Sequence, residues 1–174
     1  MKQVALLCVV LLALVGCTAS VRKNNPDGDL VAVEPQQSKR IVTRLTGTPE
    51  VLASSDWERL DREWRKAVAT VGVRMDIEYV MQNDADRTTL PGVLAVVTVT
   101  HFHYVAPGAR YVFGVMTGSA SLVTQVQFSD LQTGASLGVR NYSSASKFSQ
   151  GIFAAVSDKQ VVAICTEIAL AVKK

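Results

Sequence analysis

Ser55-Asp56-Trp57-Glu58-Arg59-Leu60-Asp61-Arg62-Glu63-Trp64-Arg65-Lys66-Ala67-Val68-Ala69-Thr70-Val71-Gly72, followed without a break by Val73-Arg74-Met75-Asp76-Ile77-Glu78-Tyr79, decides the fold class. Trp57, Leu60, Trp64, Ala67, Val68 and Val71 fall three or four residues apart, which lines one face of a helix. Ser55 and Glu58 have the spacing of a capping box, and Gly72 stands where a left-handed cap is wanted, so the pattern predicts a helix from Ser55 to Gly72. From Val73 the period changes to two. Val73, Met75, Ile77 and Tyr79 alternate with Arg74, Asp76 and Glu78, the pattern of a strand with one wet face. A helix running directly into a strand is an α/β corner.

Downstream the strands accumulate. Val93 to Val105 is apolar on both faces, as a central strand should be. His101 and His103 continue the face of Val93, Ala95, Val97 and Val99, and a turn follows at Pro107-Gly108. Arg110 to Thr117 is again β-rich, Leu122 to Ser129 alternates, and Asp130-Leu131-Gln132-Thr133-Gly134 reads as a hairpin turn into Ala135 to Tyr142. Ser143 to Gln150 is a serine-rich loop. Ser157-Asp158-Lys159-Gln160 repeats the capping spacing and opens a last helix to about Lys173, with Val161, Ile164, Cys165, Ile168, Ala169 and Val172 as its apolar stripe. The expected fold is α+β: a mixed, mostly antiparallel sheet of about five strands with two flanking helices.

Upstream the signals are weaker. Arg40 to Thr46 places Ile41, Thr43 and Leu45 on one side of a strand, and Asp29 to Glu34 alternates before Pro35. Pro26-Asp27-Gly28 is turn chemistry. At the amino terminus, Lys2 precedes an uninterrupted apolar run from Val4 to Val15. That is about half of the roughly 20 residues a spanning helix needs, so it reads as a signal-peptide core. Its end, Leu14-Val15-Gly16-Cys17, resembles the bacterial lipobox. The resemblance implies diacylglycerol on the Cys17 sulfur, cleavage after Gly16 and acylation of the new amino group. By the same resemblance Thr18, in place of Asp, implies the outer membrane, with the domain facing the periplasm. The expected organisation is a signal peptide at 1–16, a lipidated tether at 17–28 and one periplasmic domain at 29–174.

Removing residues 1–16 from 174 leaves 158, which is one domain by size. Such a chain buries roughly 68–70% of its unfolded surface and can be stable without disulfide or metal. Cys8 departs with the signal and Cys17 is acylated, so Cys165 stands alone and its neighbours place it in a core. The whole chain carries 18 Lys and Arg against 15 Asp and Glu. That near-balance, with few aromatics among the basic residues, gives no footprint for nucleic acid.

Arg110-Tyr111, Phe113-Gly114, Thr117-Gly118-Ser119-Ala120 and Asp130-Leu131-Gln132-Thr133-Gly134 together resemble an uncharacterised family of bacterial lipoproteins, domain of unknown function 4410. The resemblance covers roughly Asp56 to Lys174. It implies a periplasmic domain with a mixed sheet and flanking helices, laid out like accessory lipoproteins of secretion and cell-wall synthesis, and it implies no activity.

Catalytic signatures are missing. GxGxxG, P-loop and GxSxG patterns do not occur, and Thr117-Gly118-Ser119-Ala120-Ser121 lacks the spacing of a nucleophile elbow. With no nucleophile to name, the expectation is a non-enzyme without a cofactor. His101 and His103, two residues apart on one strand with Tyr104 beside them, are candidate ligands for a metal or small molecule. A zinc site needs three or four ligands, and no HExxH or CxxC supplies the rest. Asp84 and Asp86 lack the spacing of a calcium loop. The mixed-charge face carrying Arg59, Arg62, Glu63 and Lys66 is either a solvated surface or a docking face. The leading expectation is a membrane-anchored accessory or assembly protein acting through contact with an envelope protein, and the alternative is a ligand-binding module at the His101 and His103 strand end.

Overall fold

The computed structural model describes residues 20–25, 28–30, 32–84, 88–103, 121–145 and 157–173. Within them the chain forms β1 (Val21–Asn24), a 3-10 turn (Gln37–Lys39), β2 (Arg40–Gly47), α1 (Pro49–Leu52), α2 (Trp57–Met75), β3 (Glu78–Met81), β4 (Val93–His103), β5 (Ser121–Asp130), β6 (Ser136–Ala145) and α3 (Ser157–Val172). The six strands make one sheet in the order β1-β6-β5-β4-β2-β3. β2 is parallel to both β3 and β4, and the remaining pairs are antiparallel. The expected mixed, mostly antiparallel α+β fold is therefore present, with one more strand and one more short helix.

The core lies between one face of the sheet and the helices. Ile41 and Leu45 of β2, Val93, Ala95, Val97 and Val99 of β4, and Leu122, Val126 and Phe128 of β5 pack with Leu60, Trp64, Val68 and Val71 of α2 and with Val161, Ile164, Cys165 and Ile168 of α3. Every expected α3 stripe residue is buried. On the opposite face, among the described residues, Val42 and Leu131 form a small buried apolar cluster, with Val80 and Leu94 partly buried against it. β4 is central, and its even positions Leu94, Val96 and Thr98 are half-buried.

Several local expectations are corrected. α2 does not stop at Gly72 but runs to Met75, and Asp76 takes the left-handed position at φ 53° and ψ 54°. Gly72 lies inside the helix and is buried for a different reason: a Cβ there would stand 3.2 Å from both the Ile77 carbonyl and Tyr79 Cβ. A glycine marks either a positive φ or a close approach, and sequence does not separate them. Val73 consequently sits on the helix, 87% exposed, and the strand is only Glu78–Met81. At the other end Asp56, in an αR conformation with no side-chain cap bond, precedes the helix, so the Ser55–Glu58 capping box is not formed.

Of the expected strand Asp29 to Glu34, the described residues 29–30 and 32–34 are not in a strand. Leu30 and Val33 pack on the core, Leu30 lying over Gly138, and Asp29 reaches Arg140 Nη2 at 3.3 Å. Arg140 is buried on the helix-facing side, so a charged partner is what that position requires. The missing strand is instead Val21–Asn24, inside the stretch read as tether, paired with Asn141–Ser144. β6 also extends through Ser143 and Ser144, part of the expected serine-rich loop, because those residues have β1 and β5 on either side to bond to.

Candidate docking surface

α2 presents its polar side as a ladder of ion pairs. Arg65 Nε lies 2.8 Å from Asp61 Oδ2, Arg59 Nε 3.0 Å from Glu63 Oε1, and Arg62 Nη1 3.9 Å from Glu58 Oε2. These are one-turn spacings, so the helix backbone alone brings each pair together. Exposed pairs of this kind contribute about 0–1 kcal/mol each, which makes the face a poor source of stability. Lys66, also exposed, completes the predicted set of Arg59, Arg62, Glu63 and Lys66 on one helix.

Beside this face the chain leaves β3 through Gln82, Asn83 and Asp84. The Gln82 amide donates to the Thr43 carbonyl at 2.9 Å, which holds the exit against β2. Two open depressions result: one of about 540 Å³ lined by Arg65, Met81, Gln82, Asn83 and Asp84, and one of about 360 Å³ lined by Trp57, Glu58, Asp61, Arg62 and Asn83. Asn83 belongs to both, so they form one groove along α2. Its walls carry both signs of charge and the edges of Trp57 and Met81. That suits a polar protein surface better than an enclosed small molecule, which buries most of its area in an apolar pocket.

Of the expected face, Arg62 lines this groove. Arg59, Glu63 and Lys66 do not. Sequence reasoning missed Gln82 and Asn83, whose signal was a polar run directly after an edge strand. Asp84 lies in the groove wall, and Asp86 is outside the described residues.

His101 and His103 are exposed. The register slips between Val99, opposite Thr124, and His101, opposite Val123, so Thr100 is the extra residue of a β-bulge. A bulge exchanges the two faces beyond it. Phe102, opposite buried Leu122, takes the core side, and both imidazoles point to the other face of the sheet from Val93, Ala95, Val97 and Val99. The expectation that they continue that first face is corrected on this ground. They still share a side with each other. Among the described residues no group of three or more His, Cys, Asp or Glu is arranged to hold a metal ion. Tyr104 lies outside the described residues, as do Gly16, Cys17 and the motifs between Arg110 and Ala120.

Three buried groups are strongly perturbed, one of them the Tyr142 phenol, which burial raises. Burial pushes the Cys165 thiol and, beside it, the Tyr79 phenol well above their ordinary values. The Tyr79 hydroxyl stands near Thr43 and Cys165 but meets hydrogen-bond geometry with no partner. A thiol so shielded is the opposite of a nucleophile. At the far end of the sheet, Asp130 Oδ1 accepts hydrogen bonds from the Thr133 hydroxyl at 2.7 Å, the Thr133 amide at 2.6 Å and the Gln132 amide at 3.1 Å, while Gln37 Nε2 donates to Oδ2. These bonds, the Thr133 hydroxyl foremost, hold its carboxyl below the usual range.

No family model and no curated protein matches the chain. Solved structures do. A PelC dodecamer from Paraburkholderia phytofirmans is 10% identical with a TM-score of 0.50, covering 89% of this chain and 97% of that one. A DUF330 protein from Xanthomonas campestris is 11% identical with a TM-score of 0.46, covering 80% and 88%. A minor lipoprotein from Acinetobacter baumannii is 10% identical with a TM-score of 0.35, covering 78% and 93%. At such identity the PelC likeness concerns the fold, which it extends over nearly the whole of both chains.

Proposed function

We propose that the chain is a lipoprotein held in the outer membrane by acyl groups on Cys17, with its domain in the periplasm, serving as a non-catalytic accessory or assembly protein of the cell envelope. The observation that carries this reading is the apolar run Val4–Val15 closed by Leu14-Val15-Gly16-Cys17. Two or three acyl chains make membrane release very slow, at about 0.8 kcal/mol per buried CH₂. The resemblance to the domain of unknown function 4410 lipoproteins supports the same assignment.

Contact rather than catalysis fits what the domain offers. The described residues form an open groove with both signs of charge, and the one described cysteine is sealed in the core. The fold is also one on which PelC, at 10% identity, is built into a dodecamer, which adds copies of this chain to the partners worth testing.

The test has two arms. Cys17→Ser should move the protein from the membrane to the soluble periplasmic fraction, and full membrane retention refutes the anchor. A photo-crosslinking residue at Arg62, within the groove, should capture one defined envelope protein or a second copy. Capture equal to that from exposed Lys39, at the other end of the sheet, refutes the docking role.

A further inference from the structure

Resting on the lipid-anchor reading, we infer that the domain is not lifted off the membrane but seated on it, and that the seat is the end of the sheet carrying Ser20, Arg22, His101, His103 and Ser121. The surface it meets is the phosphate-bearing headgroup layer of a phospholipid bilayer.

The argument begins with the length of the link. β1 starts at Val21, four positions after Cys17. Four residues reach about 14 Å at full extension. The headgroup layer itself is roughly 5–8 Å deep on each side of the hydrocarbon. A tether running to residue 28 could have held the domain well clear of the lipid, but the strand uses most of that length.

Register then says what lies level with the anchor. Val21 is opposite Ser144, Ser144 opposite Leu122, and Leu122 opposite Phe102. One step further towards the anchor, Ala145, Ser121 and His103 are opposite one another, and Ser144 Oγ donates to the Ser20 carbonyl at 3.3 Å. His103 is thus three strand spacings from β1, about 14 Å sideways, at the height of Ser20. The described chain also leaves at this end after His103 and Ala145 and returns at Ser121 and Ser157.

Length and register, not charge, select this end: Arg22 is exposed there, but so are Glu50 on α1, Glu58 at the start of α2 and Asp158 at the start of α3. β5 is ten residues long, so its far turn stands roughly 30 Å from the anchored end.

Site-directed fluorescence quenching tests this. The full lipidated protein bearing His103→Cys or Gln132→Cys is labelled at the new thiol, because Cys17 is acylated and Cys165 is buried. It is reconstituted into vesicles of phosphatidylethanolamine and phosphatidylglycerol containing a headgroup-attached quencher. The label at 103 should be quenched several-fold more than the label at 132. Ser121→Cys, on the neighbouring strand, gives the same contrast if His103→Cys disturbs the fold. Equal quenching at the two ends, or stronger quenching at 132, overturns the inference. Flotation keeps the two readings apart: protein that floats with its vesicles but shows no contrast refutes only the seating, whereas protein that does not float refutes the anchor and the seating together.

Discussion

Asp130→Ala should be the most informative single substitution in the sheet. Its carboxylate accepts from the Thr133 hydroxyl, the Thr133 and Gln132 amides and the Gln37 side chain, so it ties the β5–β6 turn to the 3-10 turn before β2. Hydrogen bonds to a charged group are worth about 1.5–3 kcal/mol, and several on one carboxylate do not add. With the side chain mostly buried, a loss of about 2–3 kcal/mol at pH 7 is expected. For a chain of this length that lowers Tm by about 4–12 °C. The effect must also follow pH. The folded state depresses this carboxyl below its ordinary value of 3.8, so the stabilisation is complete above that value and fades as pH falls through the depressed one. Thermal unfolding of wild type and Asp130→Ala, followed by circular dichroism from pH 7 downward, should show a gap that is constant to about pH 5 and narrows in more acidic solution. A gap below 1 kcal/mol at pH 7, or one that widens on acidification, would refute the account of this turn.

Tyr79→Phe should be neutral or stabilising by up to about 1 kcal/mol, because the buried hydroxyl it removes has no partner; a loss above 1 kcal/mol in denaturant unfolding would show a bond there. Cys165 should resist alkylation in the folded protein at pH 8 and react fully in denaturant. Since burial raises that thiol, its contribution to stability is full below the ordinary value of 9.0 and declines as pH rises above it, so a melting temperature that climbs through pH 9 to 10 would contradict the placement. Trp64→Ala, at a fully buried position between helix and sheet, should cost about 3–5 kcal/mol, and a change under 1 kcal/mol would mean the core is built differently. Asp76→Gly should stabilise by a few tenths to about 1 kcal/mol by relieving a left-handed non-glycine residue, with urea midpoints as the readout.

Sequence alone determined the elements whose signal is local and repeated. The stripes of α2 and α3, the two apolar faces of β4, the alternation of β5 and the Asp130–Gly134 turn are written in residue spacing, because each element must turn an apolar side to the same core. Tertiary structure decided the rest. Whether Gly72 capped a helix or let Tyr79 approach it depended on a residue seven positions away. Whether Val21–Asn24 was tether or strand depended on a free edge of β6, more than a hundred residues downstream, and whether His101 and His103 faced the core depended on one extra residue at Thr100 against β5. The groove joining α2 to Gln82–Asp84 likewise exists only once β3 is laid beside β2. Spacing along a chain encodes which way a side chain turns, whereas pairing, register and close approach belong to segments far apart, and those three settled where the groove along α2 and the two exposed imidazoles lie.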